Sequence, residues 1–348
     1  MMKQVLFFIA SLMLIMLSSC THIINLEVMK PAEITLPSHL TKIGIVNRSV
    51  VSYKQDNKDK IFNIIEGILT GESIGADRDA SEECIKGLLS ITSQQNRITY
   101  LRLPNLNGTG LALEKRNLTW DEVDKICKEH QLNGILVLES FDSFNNLSIA
   151  PTIVKVKSPN GTLVDAPQFN AQANLRVVNS WRLYDAEKHK IFDELRNVSE
   201  RTFNGVAPNE RDAIMQLPNK RQMLNQTGYN AGCQFGKRIS PNWIWVTRYV
   251  YKGKGDQMKL AYRYSYNKNW DNAAQVWSKF TNDPKRKTAG KACYNMAVVC
   301  EIKGKLDLAV DWVNKAYENH NFKPALEYKR QLQGRIADQE RLKSQLGE

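Results

Sequence analysis

Gly134-Ile135-Leu136-Val137-Leu138-Glu139-Ser140-Phe141 is the most apolar strand-like stretch beyond Cys20, and the pattern on either side of it sets the fold class. A short apolar run of this kind fits a buried strand. Toward the N-terminus, Thr119 reads as an N-cap, with Glu122 completing a capping box. The helix it opens carries Val123, Ile126 and Cys127 on one face. Asn107-Gly108-Thr109-Gly110 is loop by composition, and Arg97 to Leu103 alternates and stops at Pro104, as a strand does. A helix is expected from Asp77 through Leu89, with Cys84, Ile85, Leu88 and Leu89 inward, and another over Ile61 to Leu69, ending near Gly71. Lys42-Ile43-Gly44-Ile45-Val46 is a second buried strand, closed by polar Asn47-Arg48-Ser49. Strand, helices, strand, helix, strand is the order of an α/β layer with crossover connections.

Beyond Phe141 the pattern changes. Leu147 to Lys157, Phe169 to Tyr184 and Lys190 to Phe203 read as longer β segments, with Asp185-Ala186-Glu187-Lys188 as a turn. Alternation at Ala173, Leu175 and Val177, then at Trp181 and Leu183, predicts a meander with one wet face. A helix is expected from about Arg211 to Lys237, which Pro218 must interrupt or begin. Pro241 to Tyr251 is a β-prone aromatic run, and Lys252-Gly253-Lys254-Gly255-Asp256 reads as a hinge.

The C-terminal part repeats itself. Leu260-Ala261, Tyr264, Ala273, Trp277 and Phe280 are echoed by Met296-Ala297, Cys300, Ala309, Val313 and Ala316, 36 positions later. The second copy resembles the tetratricopeptide pattern of two antiparallel helices per roughly 34 residues. Small Ala261, Ala273, Ala297 and Ala309 let paired helices approach, while Trp277 and Val313 fill the space between them. A charged helix from Pro324 to about Leu346 would cap the stack. The resemblance implies an inner groove lined by Met258, Tyr262, Tyr266, Lys291, Asn295, Val298 and Ile302, which would bind an envelope protein or peptide. Lys291 and Asn295 match parts of the carboxylate clamp of some tetratricopeptide domains, but the full set is missing. Pro284 falls near the family's proline position, whereas Asn321 replaces it in the second copy.

The other specific signal is N-terminal. Lys3 precedes an apolar run from Val5 to Leu17, the pattern of a secretory signal and too short for a membrane-spanning helix of about 20 residues. Leu17-Ser18-Ser19-Cys20 resembles the lipobox of bacterial lipoproteins. That resemblance implies cleavage before Cys20, a diacylglyceryl thioether on its sulfur and an acylated amino terminus, with palmitate-type chains as the anchor. Several acyl chains hold durably, each buried methylene contributing roughly 0.8 kcal/mol. Thr21-His22-Ile23-Ile24-Asn25 carries neither an Asp after the cysteine nor an acidic cluster, which by the lipoprotein sorting rules implies the periplasmic leaflet of the outer membrane.

Composition narrows the function classes. At 42% hydrophobic and 24% charged, the chain is ordinary globular protein, and about 329 residues remain after cleavage, enough for two domains. The net charge of +12 becomes +11 without Lys3 and favours acidic partners such as anionic headgroups; a secreted, lipidated chain does not meet nucleic acid. With Cys20 acylated, Cys84, Cys127, Cys233, Cys293 and Cys300 remain, without the spacing of a disulfide scaffold, and most read as buried small hydrophobes. Cys293 and Cys300 on one helix would stand roughly 10 Å apart, too far for a bridge. No phosphate loop follows a strand, the five histidines are isolated from other metal-ligand types, and no Gly-x-Ser-x-Gly elbow occurs. Asp77/Asp79 and Glu82/Glu83 read as helix-start and surface charges. No catalytic residue, metal site or cofactor is therefore expected.

The lipobox, the Lys42 to Val46 strand, Leu136-Val137-Leu138-Glu139-Ser140, Trp181-Arg182-Leu183-Tyr184-Asp185 and the segment from Ile239 to Tyr251 together resemble a family of Bacteroidota outer-membrane lipoproteins with tetratricopeptide-like C-termini. That resemblance implies no activity. The N-terminal layer is also distantly similar to the α/β domains of periplasmic TolB-type and curli-secretion-type lipoproteins, an analogy of fold that carries no function. The expected organisation is a signal peptide over residues 1–19, a lipidated tether over 20–40, an α/β domain with a mixed sheet, helices and a β-meander over 41–252, and an all-α tetratricopeptide-like repeat domain over 256–348. The expected function is a membrane-anchored, periplasm-facing interaction scaffold in envelope assembly or export. An envelope hydrolase or glycan-binding protein that uses the repeats as a docking arm is the alternative.

Overall fold

The computed structural model describes residues 21–49, 76–106 and 117–347. The expected helix at Ile61 to Leu69, the loop at Asn107 to Gly110 and the acylation site Cys20 lie outside the described residues. The chain divides into two compact units: Ala32–Asn242 with the C-terminal residues from Gln345, and Trp243–Ser344 with the described residues up to Pro31. The first is the expected mixed sheet with helices, and the second is dominated by five helices.

In the first unit, β2 (Lys42–Asn47) runs parallel to β3 (Thr99–Arg102) and to β4 (Gly134–Lys157). Antiparallel β5 (Leu163–Asp185) and β6 (Lys190–Ala207) follow, in the order β3-β2-β4-β5-β6. The continuous apolarity of Gly134 to Leu138 has a direct cause. Leu136 and Leu138 face α1 (Ala76–Thr92) and α4 (Lys220–Ile239), whereas Ile135 and Val137 face α2 (Trp120–His130). Helices cover both faces, so neither parity of the strand tolerates a polar side chain. The register shifts between Leu138 and Ser140, and the strand then continues to Lys157, joining what the sequence suggested as two segments. Thr119 and Glu122 form the expected capping box. Pro218 falls between the short α3 (Glu210–Met215) and α4, and Asn219 caps α4 with a second capping box to Gln222.

Three glycines spaced one turn apart, Gly228, Gly232 and Gly236, line the face of α4 that meets α1. A Cβ on Gly232 would overlap the carbonyl oxygen of Cys84, and one on Gly228 would reach 2.5 Å from that of Ala80. The two helices thus pack backbone to backbone. The meander diverges from the unit's core at its far end. β6 pairs with β5 only from Phe169 onward, whereas β4 and β5 stay paired to Lys157 opposite Leu163. The last six pairs form a two-stranded arm about 20 Å long.

The second unit opens with β1 (Thr21–Lys30), which pairs with β7 (Asn242–Tyr251) in a two-stranded sheet. The segment from Thr21, read as a tether that could also supply an edge strand, is strand over Thr21–Lys30, and the aromatic run expected to close the α/β domain leaves its sheet. Five helices follow: α5 (Asp256–Tyr266), α6 (Trp270–Ser278), α7 (Arg286–Ile302), α8 (Leu306–Glu318) and α9 (Pro324–Leu346). The 36-residue recurrence extends to the backbone. Asn269 N–H donates to Tyr264 O at 2.9 Å and Lys305 N–H to Cys300 O at 2.8 Å, while Lys268 and Gly304 take left-handed φ values of 55° and 72° at the same repeat position. Ala261, Ala273, Ala297, Ala309, Trp277 and Val313 are all buried between these helices. Among the described residues, no helix is long and apolar enough to cross a membrane.

Candidate functional site

The inner face of the helical repeats forms where the sequence placed it, but it is not an open groove. The β1–β7 ribbon of the same unit lies against it. In β7 the even positions Arg248 and Val250 turn inward, as do His22, Ile24 and Val28 in β1, and Val250 and Ile24 join the core of the helices. Met258, Val298 and Asn295 are fully buried, Tyr262 nearly so, and Ile302 packs at the margin. Asn295 accepts the Tyr251 N–H and donates to the Tyr251 carbonyl, both at 2.8 Å. Lys291 Nζ donates to Lys252 O at 2.8 Å. Tyr266 is 60% exposed, yet the His22 ring stacks on it at 4.1 Å. His22 also meets Tyr262 edge-on at 4.7 Å. The predicted lining is thus brought together, and the occupant is the chain's own ribbon rather than a partner. The expectation of an accessible partner-binding groove at Met258, Tyr262, Tyr266, Lys291, Asn295, Val298 and Ile302 is corrected accordingly. Two strands more than 200 residues apart in sequence must pair to make this cover, and no local pattern announces that pairing.

Sequence reasoning missed the charged centre of the contact. Glu301 accepts two bonds from Arg248, Nε at 2.7 Å and Nη2 at 2.8 Å, one from Tyr328 Oη at 2.6 Å and one from Arg335 at 2.9 Å. Burial alone would raise the Glu301 pKa, but these donors and the Arg248 charge hold it below the ordinary carboxylate value. Burial and the adjacent Glu301 charge push the Tyr328 hydroxyl well above its usual range. A lone glutamate within the apolar run Met296 to Ile302, matched by a lone arginine in the aromatic run, was the available signal.

In the α/β unit, polar groups collect at the carboxyl ends of β2 and β3 and where the parallel pairing of β4 ends at Leu138, the edge where sheets of this kind place ligands. Glu139, at the register shift, is buried between Arg48 and Arg182, each at 3.0 Å, and accepts from Tyr184 Oη at 3.1 Å. Glu82 bonds Arg102 at 2.9 Å and Asn47 at 2.7 Å. Burial opposes ionisation of Glu82, but Arg102, Asn47 and Asn105 outweigh it and lower its pKa. Both carboxylates are matched by guanidinium groups, so the edge as described is internally neutralised.

The β4–β5 arm is the other distinctive surface. Residues paired across strands share a face, so Ile153 with Pro167 and Pro151 with Phe169 lie on one side, and Val156 with Val164 and Val154 with Ala166 on the other. The Val154–Val156 side carries no charge, whereas Lys155 with Asp165 and Lys157 with Leu163 share the side of Ile153, which is 76% exposed.

A family model described as a domain of unknown function, DUF8603, matches residues 40–251, more than half of the chain. The chain belongs to the DUF8603 family. A second model, DUF6340, also a domain of unknown function, matches residues 259–334, within the five-helix region. The boundary between the DUF8603 and DUF6340 matches falls at the Lys252 to Asp256 hinge, whereas packing divides the chain at Asn242, because β7 binds β1 and the helices. No curated protein matches. A crystal structure of a neuraminyllactose-binding hemagglutinin homolog from Helicobacter pylori aligns over 61% of this chain and 88% of that one, at 10% identity and a TM-score of 0.23. A likeness that slight carries no argument.

In this DUF8603 chain, no cluster of three or more His, Cys, Asp or Glu suited to a metal occurs among the described residues. Cys84, Cys127, Cys233, Cys293 and Cys300 are free, and all but Cys233 are buried. Burial pushes the thiols of Cys127 and Cys293 up to about 11, the behaviour of packing residues rather than nucleophiles.

Proposed function

We propose that this chain is a lipid-anchored envelope lipoprotein, facing the periplasm from the outer membrane, that scaffolds envelope assembly or export by holding a protein partner on the β4–β5 arm. One observation carries the reading: an exposed two-stranded ribbon, with Val154, Val156, Val164 and Ala166 on one face and Ile153, Pro167 and Leu163 beside Lys155, Asp165 and Lys157 on the other, projects past the third strand of its sheet. An isolated hairpin is marginal in water, and contiguous exposed apolar surface marks interaction sites. The partner is an envelope protein with an apolar cleft that clamps the ribbon from both sides. The lipobox at Leu17 to Cys20 supports the anchor and the Bacteroidota-type lipoprotein assignment, and the recurring backbone bonds of α5 to α8 support a tetratricopeptide-like reading of the repeats.

Site-specific photocrosslinking in intact cells tests this. A photoreactive residue at Ile153 should yield one discrete protein adduct, and the same residue at exposed Leu308 on α8 should not. Equal labelling at both positions, or none at Ile153, sinks the arm as the partner site.

The alternative, an envelope hydrolase or glycan-binding protein, draws on Glu82 and Glu139 at the carboxyl edge of the parallel strands. Saccharide titration against Glu82→Gln separates the two readings: glycan binding that this substitution abolishes would favour the alternative.

A further inference from the structure

The ribbon that fills the repeat groove leaves its other face outward, and that face has a distinct chemistry. The odd positions of β7 hold Trp243, Trp245 and Tyr249, all exposed, with Trp245 at 68%. The odd positions of β1 present Ile23, 60% exposed, followed by exposed Asn25 and Glu27. Thr247 Oγ1 donates to Asn25 Oδ1 at 3.3 Å, which places these two sets on one side of the ribbon. Four large apolar or aromatic side chains on one exposed face of a ten-residue strand pair would be a solubility liability in water. Indole and phenol rings have a natural medium at the membrane–water interface, where the ring is half-buried and its polar atom stays wet.

The position of this face in the chain indicates what covers it. β1 begins at Thr21, the residue after the lipobox cysteine, and consecutive Cα atoms stand about 3.8 Å apart. An acylated Cys20 must place its sulfur at the headgroup boundary, and no linker intervenes between it and the first strand residue. The start of the ribbon is thereby held within a few ångströms of the bilayer. Exposed Lys30, the last residue of β1, and exposed Lys254, beyond the end of β7, suit anionic headgroups.

We infer that the outward face of the β1–β7 ribbon, Ile23 with Trp243, Trp245 and Tyr249, lies in the bilayer interface beside the lipidated Cys20. It makes the ribbon a second membrane contact that fixes the orientation of the helical repeats, instead of leaving them on a swivelling anchor. The inference rests on the lipid-anchor reading above.

The test uses the full protein, purified from membranes and reconstituted in vesicles of phosphatidylethanolamine and phosphatidylglycerol. Tryptophan emission is compared with and without acyl chains brominated near the headgroup. Wild-type protein should be quenched, Trp245→Gln should lose part of the quench and the Trp243→Gln/Trp245→Gln variant most of it, and Trp312→Phe, on α8, should keep it. The mass of the N-terminal peptide reads the anchor separately. An acylated Cys20 with equal quenching in wild type and Trp245→Gln, or with none, overturns the interface assignment while leaving the anchor standing. An unmodified N-terminal peptide overturns the anchor and the inference with it. Loss of quenching accompanied by a dimer that Trp245→Gln abolishes would assign the face to a second copy and likewise overturn the membrane assignment.

Discussion

Asn295 holds Tyr251 by both of its backbone polar groups, its amide oxygen accepting the N–H and its amide nitrogen donating to the carbonyl, each at 2.8 Å. A side chain on the second repeat thus completes hydrogen bonding that the end of a two-stranded ribbon would otherwise leave open. Asn295→Ala should cost about 2–3 kcal/mol, because buried backbone groups lose their partner. Denaturant unfolding reads the loss, and a change below about 0.5 kcal/mol would mean water substitutes freely. Asn295→Asp keeps the acceptor but sets an oxygen against the Tyr251 carbonyl, and it should rescue only part of the stability.

Glu301 and Arg248 form a buried pair with bidentate geometry. Glu301→Gln should cost about 3–5 kcal/mol at neutral pH, since Arg248 then stays buried without its counter-charge. The sign of the pH dependence follows from the direction of the shift. The folded pKa is depressed below 4.5, so the stabilisation is complete above 4.5 and is lost as pH falls through the folded value. Unfolding free energies measured across this acid range should fall for the wild type and fall less steeply for Glu301→Gln.

His22 titrates in a milder window. Burial against α5 lowers its pKa from 6.5. Tyr262, Tyr266 and Ser265 face it, and the Lys252 ammonium stands 6.0 Å over the Tyr262 ring. An imidazole that must stay neutral to remain buried contributes fully above pH 6.5, and its contribution is lost as pH drops through the folded value. The protection of β1 amides against hydrogen exchange, relative to the intrinsic rate at each pH, should fall on acidification below 6.5. His22→Phe should abolish that dependence, and an unchanged profile in this variant would place the sensitivity elsewhere.

Gly232→Ala should be among the most destabilising single methyl additions in the α/β unit, since the new Cβ overlaps the Cys84 carbonyl and neither helix backbone can yield locally. A loss of about 3 kcal/mol is expected. Gly334→Ala on α9 has open space around it and should be neutral or slightly stabilising. Thermal melts of the two variants check the contrast.

Local rules determined much of this molecule without reference to its fold in space. The apolar run Gly134 to Leu138, the Thr119–Glu122 capping box, the break at Pro218 and the small-residue recurrence from Ala261 to Ala309 each act within a few residues or one repeat. The mixed sheet and the five-helix region follow from them. The composition of the repeat lining was legible too, because helical periodicity assigns faces without needing a partner.

Tertiary structure alone decided what that lining does. β1 and β7 lie more than 200 residues apart in sequence, and a strand's alternation states which face it buries but not against which element. Ile24, Leu26 and Val28 alternate as a strand should, yet nothing local pairs them with Arg248 and Val250 or lays both on α5 and α7. The arm is equally non-local, since β4 outruns its sheet only because β6 stops pairing at Phe169. Backbone propensity and side-chain parity are short-range quantities, whereas the identity of a strand's neighbour is settled by burial summed over the whole chain.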